Sequence, residues 1–316
     1  MINLGVDLGG TNLRVGLLDG AEVLWKRAVP TEAGRGKNHI LETMNALIEA
    51  ALSQARNWGH AVAGIGVGMP GPVNPFNGVV SSPPNLPGWG QVTLRDLLAD
   101  RFRVPVHVNN DANSAALGEW LYGAGKGHQH LVYVTISTGI GAGVVSEGTL
   151  LIGAAGGAAE IGHICLQAEG GAPCSCGRSG CFEAYASGTA MVREAKRRLA
   201  ETGASSQLAA ATEISPATIA RAALQGDVLA MGVLEQARFY LGVGLANALA
   251  MYNPAVLILG GGVANLWEEL IAPALTTMRR LTFAPDVGSL LVTPPTLGPD
   301  AGLVGAAALV TYYQQG

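Results

Sequence analysis

Charge is scarce in this chain: 13% of its 316 residues are charged against 49% hydrophobic, and the net charge is −4. No basic block occurs, which argues against nucleic acid as a partner, because that binding rests on phosphate neutralisation. Cysteine is rarer still, four residues in all, too few for a disulfide framework in a chain of this length. No apolar N-terminal run reaches the length of a secretory signal, since residues 4–8 form a short stretch that Asp7 interrupts. A reducing, cytoplasmic setting is therefore expected. A Walker A run is missing, and no glycine loop fits Gly-x-Gly-x-x-Gly after a single strand with an acid about twenty residues on. One uncharged stretch, residues 239–267, has the length of a membrane span. Asn247, Asn253-Pro254 and Gly260-Gly261-Gly262 interrupt it. A buried helix, a turn and a strand over 255–259 are expected instead of a membrane partner.

What the chain does have is ample core, and a length that suggests two domains. Strand-length apolar runs end repeatedly in glycines. Residues 2–6 lead into Asp7-Leu8-Gly9-Gly10-Thr11-Asn12, and strands over 13–18 and 23–29 follow around the turn signal Asp19-Gly20. A helix over 39–57 presents Ile40, Leu41, Met44, Leu47, Ile48, Ala51 and Leu52 on one face. A strand over 62–67, a helix capped by Thr93 and a strand over 104–108 complete the first set. The grammar then restarts with a strand over 131–136 that ends in Ser137-Thr138-Gly139-Ile140-Gly141-Ala142-Gly143. A strand, the turn Glu147-Gly148, another strand and helices over 188–202, 215–226 and 228–252 follow. Two similar α/β lobes are expected, with residues 74–90 as a long surface loop. Each glycine loop lets the backbone approach an anion closely. As a pair at matching places in two lobes, they suit a nucleoside triphosphate.

Two clusters carry chemistry. Glu160-Ile161-Gly162-His163 is followed, after ten intervening residues, by Cys174-Ser175-Cys176-Gly177-Arg178-Ser179-Gly180-Cys181-Phe182-Glu183. Three thiols and an imidazole suit a closed tetrahedral Zn²⁺ site, with Cys165 as an alternative ligand to His163. Glu160 and Glu183 are not needed by the metal and are free for a polar substrate. The second cluster is Asn109-Asn110-Asp111-Ala112-Asn113, where a strand ends and a helix over 112–122 begins. Ligands bind at such carboxyl ends of strands. Asp111 is the one carboxylate there, either a helix cap or a reactive group.

Together these residues resemble the ROK family (repressors, open reading frames, kinases), its bacterial glucokinases above all, over essentially the whole chain. The family signature is matched by Ile136-x-x-Gly139-Ile140-Gly141-Ala142-Gly143-Val144, then Gly153, then Ala159-x-x-Gly162-His163, and by the spacing of the zinc loop. Asn85-Leu86-Pro87-Gly88-Trp89 resembles its sugar loop, and Gly260-Gly261-Gly262 its adenosine-contacting turn. The resemblance implies a two-lobed actin-like ATPase (ribonuclease H-like) α/β fold with a cleft between lobes, one lobe of residues 1–110 plus 301–316 and the other of 111–300. It implies an ATP-dependent sugar kinase, glucose to glucose 6-phosphate, with other hexoses or N-acetylhexosamines as alternatives. Asp111 becomes the general base, and Asn85, Asn110, Glu160, His163 and Glu183 the sugar contacts. Gly9, Gly10, Thr11, Asn12, Thr138, Gly139, Gly141 and Gly261 hold ATP, Asp7 helps to hold Mg²⁺, and His163, Cys174, Cys176 and Cys181 hold structural Zn²⁺. Metal loss should then weaken sugar binding more than ATP binding. A homodimer is expected. Position 12 is Asn where many relatives carry Lys, so no positive charge is expected there. A helix-turn-helix repressor is disfavoured because the first loop begins at Asp7, and a non-catalytic sugar sensor because Asp111 and both loops are retained.

Overall fold

The computed structural model describes residues 1–203, 205–283 and 288–315. It contains two five-stranded sheets of like order. The first runs β3-β2-β1-β4-β8, from β1 (Ile2–Leu8), β2 (Asn12–Asp19), β3 (Glu22–Pro30), β4 (Val62–Met69) and β8 (Val106–Asn110). Its hairpin strands pair antiparallel, whereas β4 joins β1, and β8 joins β4, in parallel. The second runs β11-β10-β9-β12-β13, from β9 (Leu131–Ile136), β10 (Ile140–Ser146), β11 (Thr149–Leu150), β12 (Val256–Gly260) and β13 (Leu291–Thr293). The repeated grammar of the sequence thus corresponds to a repeated topology.

The chain divides into two compact units, residues 1–131, 143–159 and 295–316, and residues 132–142 and 160–294. This differs from the division expected from sequence, which put residues 111–131, 143–159 and 295–300 in the second lobe. The reason lies in two helices of the first unit, α3 (Asp111–Tyr122) and α9 (Ala301–Gln315). A Cβ on Gly118 of α3 would lie 2.9 Å from the Gly305 Cα of α9, so the two backbones touch and α3 stays with the first sheet. α9 packs onto that sheet just as tightly, with the carbonyl of Ala306 against Gly66 of β4. Leu303, Val304 and residues 306–310 of α9 are all buried.

α1 (Lys37–Asn57) buries Ile40, Met44, Leu47, Ile48 and Ala51, as its periodicity requires. The segment expected as a loop over 74–90 instead holds β5 (Val73–Asn74) and β6 (Val79–Ser81), which pair in a small sheet with β7 (Gln91–Thr93). Thr93 does precede α2 (Leu94–Phe102), but its side chain makes no capping bond. In the second unit α4 (Glu183–Ala186), α5 (Gly188–Thr202), α6 (Pro216–Leu224) and α8 (Ala272–Leu281) surround α7 (Val228–Tyr252). α7 is long and apolar enough to cross a membrane by length and composition. Its Gly242 and Gly244 are instead in contact with Thr277 and the Phe182 ring. Asn253, at φ 40°, ends it before β12, which is the helix, turn and strand expected.

Candidate functional site

In the first unit, the β1–β2 turn is closed by the Gly9 N–H donating to the Asn12 carbonyl at 2.9 Å. The Thr31 hydroxyl donates to the Gly9 carbonyl at 2.7 Å. Gly10 and Thr11 face solvent. A Cβ on Gly10 would lie 3.3 Å from the Asn85 Cβ, so the turn and the Asn85 loop abut. Leu86 and Trp89, each 1% exposed, anchor that loop and leave Asn85 outside.

The end of β8 is organised by amides. The Asn110 side chain, not Asp111, caps α3, accepting from the N–H groups of Ala112 at 2.8 Å and Asn113 at 3.4 Å. Asn109 Oδ1 accepts from Asn110 N–H and Asn113 Nδ2. Asp111 is thereby relieved of the cap, although its Oδ1 also accepts from the Ala112 N–H at 2.8 Å. Asn110 spends its carbonyl oxygen on the helix, and its Nδ2 makes no hydrogen bond among the described residues, so it would meet a ligand as a donor.

The Asp111 side chain still reaches solvent, but the protein crowded around it disfavours the charge. That desolvation raises its pKa above the usual carboxylate range, against backbone hydrogen bonds that lower it. Asp7 behaves similarly. Burial pushes it up to about 6, Arg14 pulls it down, and the Asp111 charge adds to the rise. Arg14 is the partner that the sequence reading did not anticipate. It sits directly across the hairpin from Asp7, and its Nη1 lies 3.4 Å from Asp7 Oδ2. The period of two along β2 puts Arg14 on the same face as Asn12, a signal available in the sequence.

In the second unit, one donor atom each from His163, Cys174, Cys176 and Cys181 lies within 4.8 Å of the others. Cys165 is exposed and outside the group. Tetrahedral Zn²⁺ with Zn–S near 2.3 Å requires sulfurs about 3.8 Å apart. Cys176 and Cys181 are separated by 3.7 Å, and Cys174 Sγ is 3.7 Å from His163 Nδ1. The residues fit the ion. Nδ1 is the nitrogen turned to the thiols, which leaves Nε2 for another partner. Burial first, then hydrogen bonds with Cys176 and Cys174, push the Cys181 thiol up to about 12. Against burial, hydrogen bonds with Arg178, Cys174 and Cys181 bring Cys176 down to about 6. A divalent cation would make all three thiolates.

Glu183 is not free, contrary to the sequence expectation. Its Oε1 accepts the Ser175 hydroxyl at 2.8 Å, and its Oε2 accepts the Ile140 N–H at 2.9 Å. The same Oε2 sits against Gly139, where a Cβ would collide with it. Oε1 also lies 3.7 Å from Cys174 Sγ, which donates as a thiol and could not as a metal-bound thiolate, while Oε2 keeps a second lone pair for a further donor. Glu183 thus ties the Cys174-Ser175-Cys176 turn to the second glycine loop, with Ser175 a residue that no local pattern singles out. Glu160 and Thr138 lie on the surface. Ser137 N–H bonds to the Gly139 carbonyl at 2.8 Å, closing the loop that carries Gly141. Gly261, at φ 91°, lies so close to the Ile136 backbone that no side chain fits there.

The sequence model of the ROK family matches residues 3–312. The chain is 36% identical to a glucokinase of Thermotoga maritima, over 97% of this chain and 96% of that protein. The ROK hexokinase from Thermus thermophilus superposes with a TM-score of 0.83 at 35% identity, covering both chains completely. A ROK family glucokinase from Streptomyces griseus, solved in complex with glucose and AMPPNP, gives 0.81 at 34% identity, again over both whole chains.

Proposed function

The chain belongs to the ROK family and has the α/β fold of its actin-like ATPase members, and from that premise we propose that it is a sugar kinase that transfers the γ-phosphoryl group of ATP to the primary hydroxyl of glucose. The observation that carries this reading is Asp111, a solvent-reaching carboxylate at the end of β8 whose capping duty Asn110 has taken over. Its pKa, raised by desolvation, makes it a stronger base than an ordinary aspartate. As the hydroxyl oxygen attacks the γ-phosphorus, the bond to the ADP oxygen breaks, and Asp111 accepts the hydroxyl proton. Such transition states are loose, so the protein acts mainly by positioning and by balancing charge. In the first unit, Asn85 and the Asn110 Nδ2 orient the acceptor, and Gly10, Thr11 and Asn12 offer backbone N–H groups to phosphate, in a loop that Gly9 shapes by donating its own N–H to the Asn12 carbonyl.

In the second unit, Glu160, His163 through Nε2 and the remaining lone pairs of Glu183 are the sugar contacts. Thr138, Gly139, Gly141 and Gly261 are assigned to ATP. The Ile140 N–H, already donated to Glu183, does not serve the nucleotide. Mg²⁺ bound with ATP would neutralise phosphate charge, and Asp7 is the carboxylate assigned to help hold it. Zn²⁺ held by His163, Cys174, Cys176 and Cys181 would fix the imidazole tautomer and leave the Nε2 proton as a rigid donor.

The relatives described above support glucose as the acceptor, and four unpaired cysteines fit the reducing, cytoplasmic setting proposed. A homodimer is part of the same reading. It is supported by exposed apolar side chains on α6 and α7, with Leu224 at 71% and Val228 at 82%. Light scattering at micromolar concentration should give twice the chain mass, and a monomer would refute it. Activity is tested by ADP release across a panel of glucose, mannose, fructose and N-acetylhexosamines, with ATP and with polyphosphate. Turnover should be highest with glucose and ATP. No turnover with any sugar would remove the kinase in favour of a sugar sensor.

A further inference from the structure

The glycine turn of the first unit carries no cation of its own, since position 12 is Asn. Triphosphate binding needs a compensating charge, and an arginine fork can supply it in a fixed geometry. We propose that Arg14 is that charge: it orients Asp7 in the free enzyme and meets the terminal phosphates of the bound nucleotide. The inference rests on the phosphate-loop reading given above for residues 9–12.

Four observations support it. Arg14 and Asp7 are cross-strand partners in the hairpin, one pair before the turn begins at Leu8 and Leu13. Among the described residues, Arg14 is the one arginine or lysine paired with Asp7. Its Nη1 is held twice, at 3.4 Å from Asp7 Oδ2 and at 3.1 Å from the Pro299 carbonyl. Those contacts use both Nη1 hydrogens. Nε and Nη2, with three N–H groups, make no hydrogen bond among the described residues, and the side chain is 35% exposed.

The grip from Pro299 is itself held in place from below. Glu119 is fully buried, and its carboxylate accepts the N–H groups of Thr296 at 3.1 Å and Leu297 at 3.0 Å, with the Thr296 hydroxyl at 3.3 Å. Lys26 pairs with Asp300 at 2.7 Å on the other side of Pro299. The segment between Thr296 and Asp300 is therefore fixed at both ends, and its carbonyl holds one end of the guanidinium while the other end stays available. An arginine that served only to brace Asp7 would not need a partner on a separately anchored segment.

The test compares R14Q, R14K and the unaltered protein by calorimetric titration with ATP, ADP and AMP in the presence of Mg²⁺. Glutamine can still donate to Asp7 or Pro299, so R14Q removes the charge and keeps a local hydrogen bond. The expected result is an ATP affinity reduced ten- to a hundredfold in R14Q, the range for losing a hydrogen bond to a charged group. AMP affinity should stay within twofold, which also shows that the variant is folded. R14K should recover most of the ATP affinity. An unchanged ratio of ATP to AMP affinity in R14Q would overturn the role of Arg14 while leaving the loop assignment standing. No preference for ATP over AMP in the unaltered protein would instead overturn the loop assignment, and this inference with it.

Discussion

The bridge from Ser175 through Glu183 to Ile140 makes the zinc loop and the second glycine loop one mechanical unit, and Ser175→Ala tests that directly. The substitution removes a donor 2.8 Å from Glu183 Oε1 and leaves all four metal ligands in place. A hydrogen bond to a charged group contributes about 1.5–3 kcal/mol when protected from solvent. Ser175 is exposed and Glu183 half-buried, so water replaces part of the loss, and about 1 kcal/mol remains. That corresponds to roughly a fivefold change in an equilibrium constant. A KM for glucose raised roughly three- to tenfold is expected, with a smaller rise for ATP, because the freed carboxylate also loosens its hold on the Ile140 N–H. Removing the metal should do more, since His163 and the whole Cys174–Gly177 turn lose their anchor. About 10–100-fold in glucose KM is the scale for a disturbed metal shell. The assay is coupled ADP release over glucose and ATP concentrations, with zinc measured by elemental analysis and folding by circular dichroism. One zinc per chain should be found in both the unaltered protein and the serine variant. An alanine variant that keeps its zinc and shows unaltered KM for both substrates would refute the bridge.

Asp111→Asn should lower kcat roughly 10²–10⁴-fold with little change in glucose KM, the range for a lost general base; near-normal turnover in the purified variant would remove Asp111 from that role. In the unaltered enzyme, kcat/KM should fall as the pH drops towards the raised pKa of Asp111 and the value near 6 for Asp7. Asp7→Asn should abolish most activity yet stabilise the metal-free, nucleotide-free protein at pH 7.5. Between the ordinary 3.8 and about 6, the folded state holds the Asp7 proton and the unfolded state does not, so stability falls as pH rises through that window. The shift, with the opposing pull of Arg14 already in it, corresponds to about 3 kcal/mol at most. Thermal melts should show the gain at pH 7.5 and none below pH 4, and a variant less stable at pH 7.5 would refute the assignment.

Most strands and long helices were legible because their signals are local: alternation and glycine ends for β1 to β4, period 3.6 for α1, and a turn at Asn253 that ends α7. The cluster of His163, Cys174, Cys176 and Cys181 was legible for the same reason, as a spacing of thiols and imidazole. Three things were not. β5 and β6 are two and three residues long, too short for any period to register. α9, apolar around most of its circumference, carries no amphipathic stripe, and its place in the first unit came from resemblance alone. Glu183 and Ser175 are eight residues apart, and Glu183 and Ile140 are 43 apart. A carboxylate that bonds to a backbone N–H at such a distance leaves no mark on local pattern, so Glu183 looked free when it was engaged. Arg14 stood in plain view, but its meaning depended on Pro299, which only the fold brings to it.

The packing of α9 on the first sheet also has a consequence for how the chain is made. β1, β4 and β8 have all been synthesised by residue 110, whereas α9 begins at residue 301. At about 5–20 residues per second, a ribosome needs roughly 10–40 s to cover that interval. Throughout it, the face of β1 and β4 that receives Leu303 and Ala306 lacks α9, and α3 reaches it at Gly68, through Ser114. The nascent first unit is thus a sticky, unfinished sheet for most of its own translation. Substitutions in α9 should therefore act on the yield of soluble protein in the cell before they act on the rate of any reaction.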